Sequence, residues 1–219
     1  MIRERVQACI SILEALYGVP EAGRVDPVDL LVLTILSQNT TDANSLKAFG
    51  RLKSAFPDVR AIMSASEGEV MEAIRPGGLA GIKARRIREV LRRIQEDSGA
   101  LELGFLARMD PDSAMRYLAS LPGVGPKTAS VVLLFGFGMP FMPVDTHVYR
   151  VSRRLGLVPM DASRDQAQRI LEEITPPDKY LSLHLNLIKH GRTVCQARAP
   201  RHEECALRHL CDLYMGHKT

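Results

Sequence analysis

An all-α protein is the fold class this chain predicts. Apolar residues recur at helical spacing along most of its 219 residues. No segment shows convincing strand alternation, and capping residues, Gly and Pro separate the periodic stretches. Read this way, the chain holds about ten helices. Residues 2–17 repeat apolar positions at helical spacing and stop at Gly18. Asp26 reads as a cap with Pro27 at the first helical position. It opens the apolar run LLVLTILSQ, which reads as a helix buried on most sides. Further helices are expected over 42–55, 67–74, 81–97, 111–120, 126–136, 146–156, 163–174 and 180–191. No solenoid repeat or low-complexity tract interrupts them.

The formal charge of +4 is mildly basic and permits nucleic-acid binding without demanding it. With no Trp and 5% aromatics, extensive base stacking of the single-strand-binding kind is not expected. No apolar run approaches the roughly 20 residues a membrane span needs. The first helix also lacks a signal-peptide pattern. The expectation is a soluble protein of the cytoplasm or nucleoid. Of the four cysteines, Cys9 stands apart and reads as a small buried hydrophobe. The other three lie in the last 25 residues, and in a reducing compartment such a cluster more often binds metal than forms disulfides.

Leu121-Pro-Gly-Val-Gly-Pro-Lys joins two expected helices by a tight turn. Gly123 and Gly125 allow positive φ and close approach of another molecule to the backbone, and Pro126 favours helix initiation. Amides of the Gly123-Val124-Gly125 turn can bind a phosphate without a cationic side chain. Lys127 stands in the first helical turn, where the helix dipole favours anions. That field disfavours the ammonium and so favours the free amine that a Schiff-base lysine needs. Asp145, 18 residues on, reads as the cap of the next helix. A capping carboxylate is held rigidly and can stabilise positive charge developing on a sugar. His147 falls in the same first turn, in a supporting place. Along the helix of KARRIREVLRR, Ile87, Val90, Leu91 and the following Ile94 face inward, whereas Lys83, Arg85, Arg86, Arg88, Arg92 and Arg93 face outward, where several contacting phosphate would make affinity fall steeply with salt.

From about residue 26 to 214, these features together resemble the endonuclease III family of helix-hairpin-helix DNA glycosylases. The lysine-to-aspartate interval is that family's interval. The resemblance implies two helical domains with a DNA cleft between them. Residues 21–139 would form a six-helix domain carrying the hairpin, and 1–20 plus 140–219 a second domain with the C-terminal metal loop. Lys127 and Asp145 would face each other across the cleft as catalytic residues. The implied activity is bifunctional: base excision through a lysine Schiff base, then β-elimination at the abasic site, with oxidised pyrimidines as substrates. Alternatives are a glycosylase for mismatched thymine or alkylated bases, or a non-catalytic DNA-binding module. The implied partner is double-stranded DNA carrying a damaged base or an abasic site, bound by a monomer. LSQNTTD at 36–42 resembles the loop that fills the gap left by a flipped base, with Asn39 as the probing amide. GGLAGIKARR resembles the loop that wedges Leu79 into the duplex. Such a wedge offsets part of the unstacking cost.

The family's iron–sulfur loop reads C-x6-C-x2-C-x5-C. Here it is Cys195-x6-His202-x2-Cys205-x5-Cys211, with histidine in the second place. The resemblance implies a [4Fe–4S] cluster with Cys3His ligation. Histidine can replace cysteine in iron–sulfur ligation. Loss of the cluster and a tetrahedral Cys3His zinc are the other readings, and His209 is a further donor nearby. The cluster would fix a basic loop with Arg192, Arg198 and Arg201 against DNA.

Overall fold

The computed structural model describes residues 1–216 except positions 22 and 24. Among these it is helical with no strand, in accord with the all-α expectation. The α-helices are α1 (Ile2–Tyr17), α2 (Pro27–Ser37), α3 (Asp42–Ala55), α4 (Val59–Ser64), α5 (Glu67–Ile74), α6 (Ala80–Ser98), α7 (Pro111–Ser120), α8 (Pro126–Phe137), α9 (Thr146–Arg154), α10 (Arg164–Ile174), α11 (Tyr180–Thr193) and α12 (Asp212–Met215). None is long and apolar enough to cross a membrane. Backbone contacts divide the chain into two compact units, Arg24–Met139 and Met1–Gly23 with Pro140–Thr219.

The Arg24–Met139 unit is built around α2. Asp26 caps it by accepting from the amides of Val28 and Asp29. Val28, Leu30, Leu31, Val32, Ile35 and Leu36 are all buried, because an element apolar on every side belongs in the middle of a core. Full burial of each such side chain contributes about 1.5–3 kcal/mol. Helices α3 and α8 pack on it, and α5 packs on α6. The six-residue α4, capped by Asp58, was not expected from the periodicity. It is too short to show a period and buries Ile62 alone. With it, the unit holds seven described α-helices rather than the expected six.

In the other unit, α1 buries Val6, Cys9, Ile10 and Leu13 and packs on α11. Asp145 and Ser163 cap α9 and α10. The expected helix 146–156 ends early, at Arg154. Gly156 turns there at φ 65, and a Cβ on it would sit 1.8 Å from the Asp212 carboxylate. That carboxylate pairs with Arg5 at 2.9 Å. Leu157 N closes the helix end by donating to Ser152 O at 2.9 Å, a left-handed glycine cap, and the bare glycine leaves room for that ion pair.

Candidate functional site

Three turns of the Arg24–Met139 unit carry the sequence candidates. The first is the hairpin between α7 and α8. Gly123 takes φ 70, as the sequence requires of a glycine here. A Cβ on it would lie 1.8 Å from Arg86 Nε and 2.4 Å from its Cζ. The guanidinium of Arg86 therefore occupies the space that a side chain would fill. Gly125 departs from expectation: it caps α8 in extended backbone, at φ −91 and ψ 176. Its missing side chain serves access, since nothing stands within 4 Å of where a Cβ would be. Val124 is also corrected. Its side chain is buried and its amide donates to Leu121 O at 3.1 Å, closing the turn. That amide is spent within the protein. No side chain caps α8, and uncapped amides at a helix start are able to bind an anion. Lys127 is exposed in the first turn of α8, beside them.

The second turn follows α2. Asn39 is exposed and holds φ 53, a conformation that Asn tolerates better than most residues. Its neighbour Gln38 faces inward. Gln38 Nε2 donates to Gly123 O at 3.2 Å and Thr128 Oγ1 at 3.3 Å, and its Oε1 accepts from Arg86 Nη1 at 2.7 Å. The third turn precedes α6. Leu79 takes φ 50 and is 53% exposed. A leucine in left-handed backbone and pushed into solvent is strained and poorly buried, costing of order 1–3 kcal/mol. Core packing does not explain it.

Lys83 is a plain correction. It was expected outward with the basic run of α6, yet it is 2% exposed. Its ammonium donates to Leu36 O at 2.7 Å and Gly77 O at 2.8 Å. It occupies the inner face of α6 beside Ala84 and Ile87, so the ammonium serves backbone rather than phosphate. Burial, and to a lesser extent Arg86, holds its pKa below the usual lysine value. Arg85, Arg92 and Arg93 are exposed as expected, while Arg86 and Arg88 are half-buried.

In the other unit, Asp145 Oδ1 accepts from the amides of His147 at 2.8 Å and Val148 at 2.7 Å. One carboxylate oxygen is thereby fixed at the start of α9. The extended segment ahead of it is anchored by buried His184, whose Nδ1 lies 2.8 Å from Pro143 O. Arg150 Nη2 stands 3.2 Å from His147 Nδ1. Arginine only donates, so that ring nitrogen accepts. Burial first, then Arg150 and Arg192, holds the His147 pKa below its usual value, against the opposing pull of Asp145. Helix α9 meets α11 at Gly191, where a Cβ would lie 3.1 Å from His147 Cβ.

Arginines of α9 also hold the cysteine-bearing C-terminal loop. Arg150 donates to Cys195 O and Gly191 O. Arg154 donates to Gln196 O and Ala197 O and stands 3.3 Å from Cys195 Sγ. Cys195, His202, Cys205 and Cys211 line one pocket together with His190. Among the described residues no three metal-type donors converge closely enough to hold a single ion. The donors ring the pocket instead. Burial raises the thiol pKa values of Cys205 and Cys211, and pushes nearby Cys9 to about 12. His190 was missed by sequence reading. It is 1% exposed, with Nδ1 3.1 Å from Tyr17 Oη and Nε2 3.4 Å from Cys205 Sγ. His202 instead stacks on Tyr214, with ring centroids 5.4 Å apart. Arg192 is exposed in the last turn of α11, and Arg198 is exposed in the loop beyond it. Arg201 is drawn back to Glu204 at 2.9 Å and to Thr193 O. His209 faces Arg208 Nε at 3.2 Å and does not line the pocket.

Residues 32–177 match the HhH-GPD superfamily base excision DNA repair protein family. Endonuclease III of Thermotoga maritima is 34% identical over 189 residues, 86% of this chain and 84% of that protein. A longer Arabidopsis thaliana relative is 39% identical over 165 residues, and the match spans 56% of its length. Among solved structures, a trapped endonuclease III–DNA covalent intermediate in an estranged-adenine complex superposes with a TM-score of 0.83 and 32% identity, over 98% of this chain and 97% of that one. The span of the family match and the near full-length identity place one conclusion beyond the fold: the chain belongs to the endonuclease III family of the HhH-GPD superfamily of base excision DNA repair proteins.

Proposed function

We propose that this base excision repair DNA glycosylase is bifunctional, removing oxidised pyrimidines and then cleaving the strand at the abasic site. The observation that carries the reading is Lys127: an exposed amine in the first turn of a helix with no side-chain cap, directly after the hairpin. The amides at that helix start bind a backbone phosphate. Asn39 probes the base left opposite the flipped nucleotide, and Leu79 fills the stack. The exposure and left-handed backbone of both residues support these roles.

Lys127 Nζ attacks C1′ of the flipped nucleotide, and the bond from C1′ to the base breaks with the electron pair leaving on the base. The Asp145 carboxylate stabilises the positive charge that develops on the sugar. The sugar ring opens to give an imine between Lys127 and C1′. Loss of a C2′ proton then expels the 3′ phosphate by β-elimination. A trapped covalent intermediate with DNA in the 32% identical relative supports a covalent route here.

The pocket of the C-terminal loop supports a [4Fe–4S] cluster held by Cys195, His202, Cys205 and Cys211, all of which line it. Three thiols spaced around a pocket suit a multi-atom cluster better than one ion, whose ligands must all converge within about 2.0–2.3 Å. When bound, the cluster would staple Cys195, just after α11, to Cys205 and Cys211 further along the loop, and no bond of the substrate is made or broken at it. The thiols must ionise to serve, so metal has to offset the burial that raises them. Purified under reducing, anaerobic conditions, the protein is expected to contain iron and to absorb near about 400 nm, whereas a zinc protein is colourless. Stoichiometric zinc without iron would exclude the cluster.

Borohydride trapping on two duplexes tests the function, one with an abasic site and one with an oxidised pyrimidine. Covalent capture on both is expected. Capture on the abasic duplex alone keeps the lyase chemistry and removes the assigned lesion. Capture on neither leaves a monofunctional glycosylase or a binding module. The second reading has no observation in its favour beyond the hairpin itself.

A further inference from the structure

Helix α6 carries two cations, one turn apart, that turn away from the exposed part of its basic run. Lys83 Nζ holds Leu36 O and Gly77 O. Leu36 is the penultimate residue of α2, where a carbonyl lacks a helical partner. Gly77 ends the 3₁₀ turn Arg75–Gly77. A few residues beyond these carbonyls stand Asn39 and Leu79, the two non-glycine residues with positive φ among those described. One turn along α6, Arg86 holds Gln38 Oε1, and Gln38 Nε2 in turn holds Gly123 O and Thr128 Oγ1. Arg86 also fills the space over Gly123.

We propose that Lys83 and Arg86 act as one positioning brace, tying the probing turn at Asn39, the wedging turn at Leu79 and the phosphate-binding hairpin into a fixed register. The inference rests on the lesion-probing reading of those turns. Strained residues persist only where their surroundings over-determine them. A buried ammonium does this well, because leaving it or its carbonyl partners unpaired is costly. Its rotatable donors reach two carbonyls on separate segments. Arg86 then couples the probing turn to the hairpin through Gln38. Both cations bond protein groups on these turns, so each acts through the turns it holds.

The test compares affinities for two duplexes of one sequence, one intact and one with a tetrahydrofuran abasic analogue. Wild type, Lys83→Met, Asn39→Gly and their double variant are compared, with an unfolding midpoint for each. Glycine at 39 removes the amide and keeps the left-handed backbone accessible. Lys83→Met is expected to weaken binding to the analogue by at least about tenfold, with the intact duplex changed by less than about threefold. If Lys83 works by placing Asn39, the double variant binds the analogue within about twofold of Lys83→Met alone, whereas independent losses would multiply. A Lys83→Met protein that keeps the full preference, or losses that multiply, overturns the brace. A wild-type protein with no preference overturns the lesion-probing reading itself. If Lys83→Met does not fold, Arg86→Gln, Gln38→Leu and their double decide. Equal, non-multiplying losses on both duplexes support the brace, and unchanged binding refutes it.

Discussion

Lys127→Ala is expected to abolish borohydride capture on an abasic duplex while leaving duplex affinity within a few fold. The side chain is exposed, and alanine is the best helix former, so the fold loses nothing at this position. The phosphate contact assigned to the hairpin uses backbone amides, which the substitution keeps. The two quantities therefore separate: gel-shift affinity persists while the covalent adduct disappears. Capture that survives in the variant would move the nucleophile to another amine. The buried ammonium of Lys83, already bonded to two carbonyls, is poorly placed for that role.

Asp145→Asn separates charge from capping in the other unit. Asn caps helices about as well as Asp, and loss of the charge at a helix start costs about 0.3–1 kcal/mol. Its amide oxygen can still accept the His147 and Val148 amides. Single-turnover base release should slow by about 10²–10³-fold, the usual scale for losing one preorganised electrostatic partner. Asp145→Ala should be as slow, and it should lose about 1 kcal/mol of stability through the missing cap. A chain of this size would show that loss as a fall of about 2–4 °C in melting temperature. If Asp145→Asn released base at the wild-type rate, the aspartate would be a cap alone.

What local sequence determined is clear at the helices. Asp26-Pro27, Ser66 with Glu69, Asp110-Pro111, Asp145 and Ser163 with Gln166 each start a helix by satisfying its first amides. Apolar spacing marked the buried face of α6, where Ile87, Val90, Leu91 and Ile94 are buried. The hairpin glycines, the lysine that follows them and the cysteine spacing were likewise contiguous patterns, legible along the chain itself. Short-range physics suffices where a residue's partners lie within one or two turns of it.

Tertiary structure decided whatever depended on distant partners. Lys83 belongs by spacing to a basic run, yet Leu36 O and Gly77 O draw it inside. His190 is 15 residues from Cys205, and only the fold of the loop onto α11 brings ring and thiol to 3.4 Å. Each case has one physical reason. The free energy of a buried polar group is set by whichever partner reaches it, and chain separation says little about which group that will be.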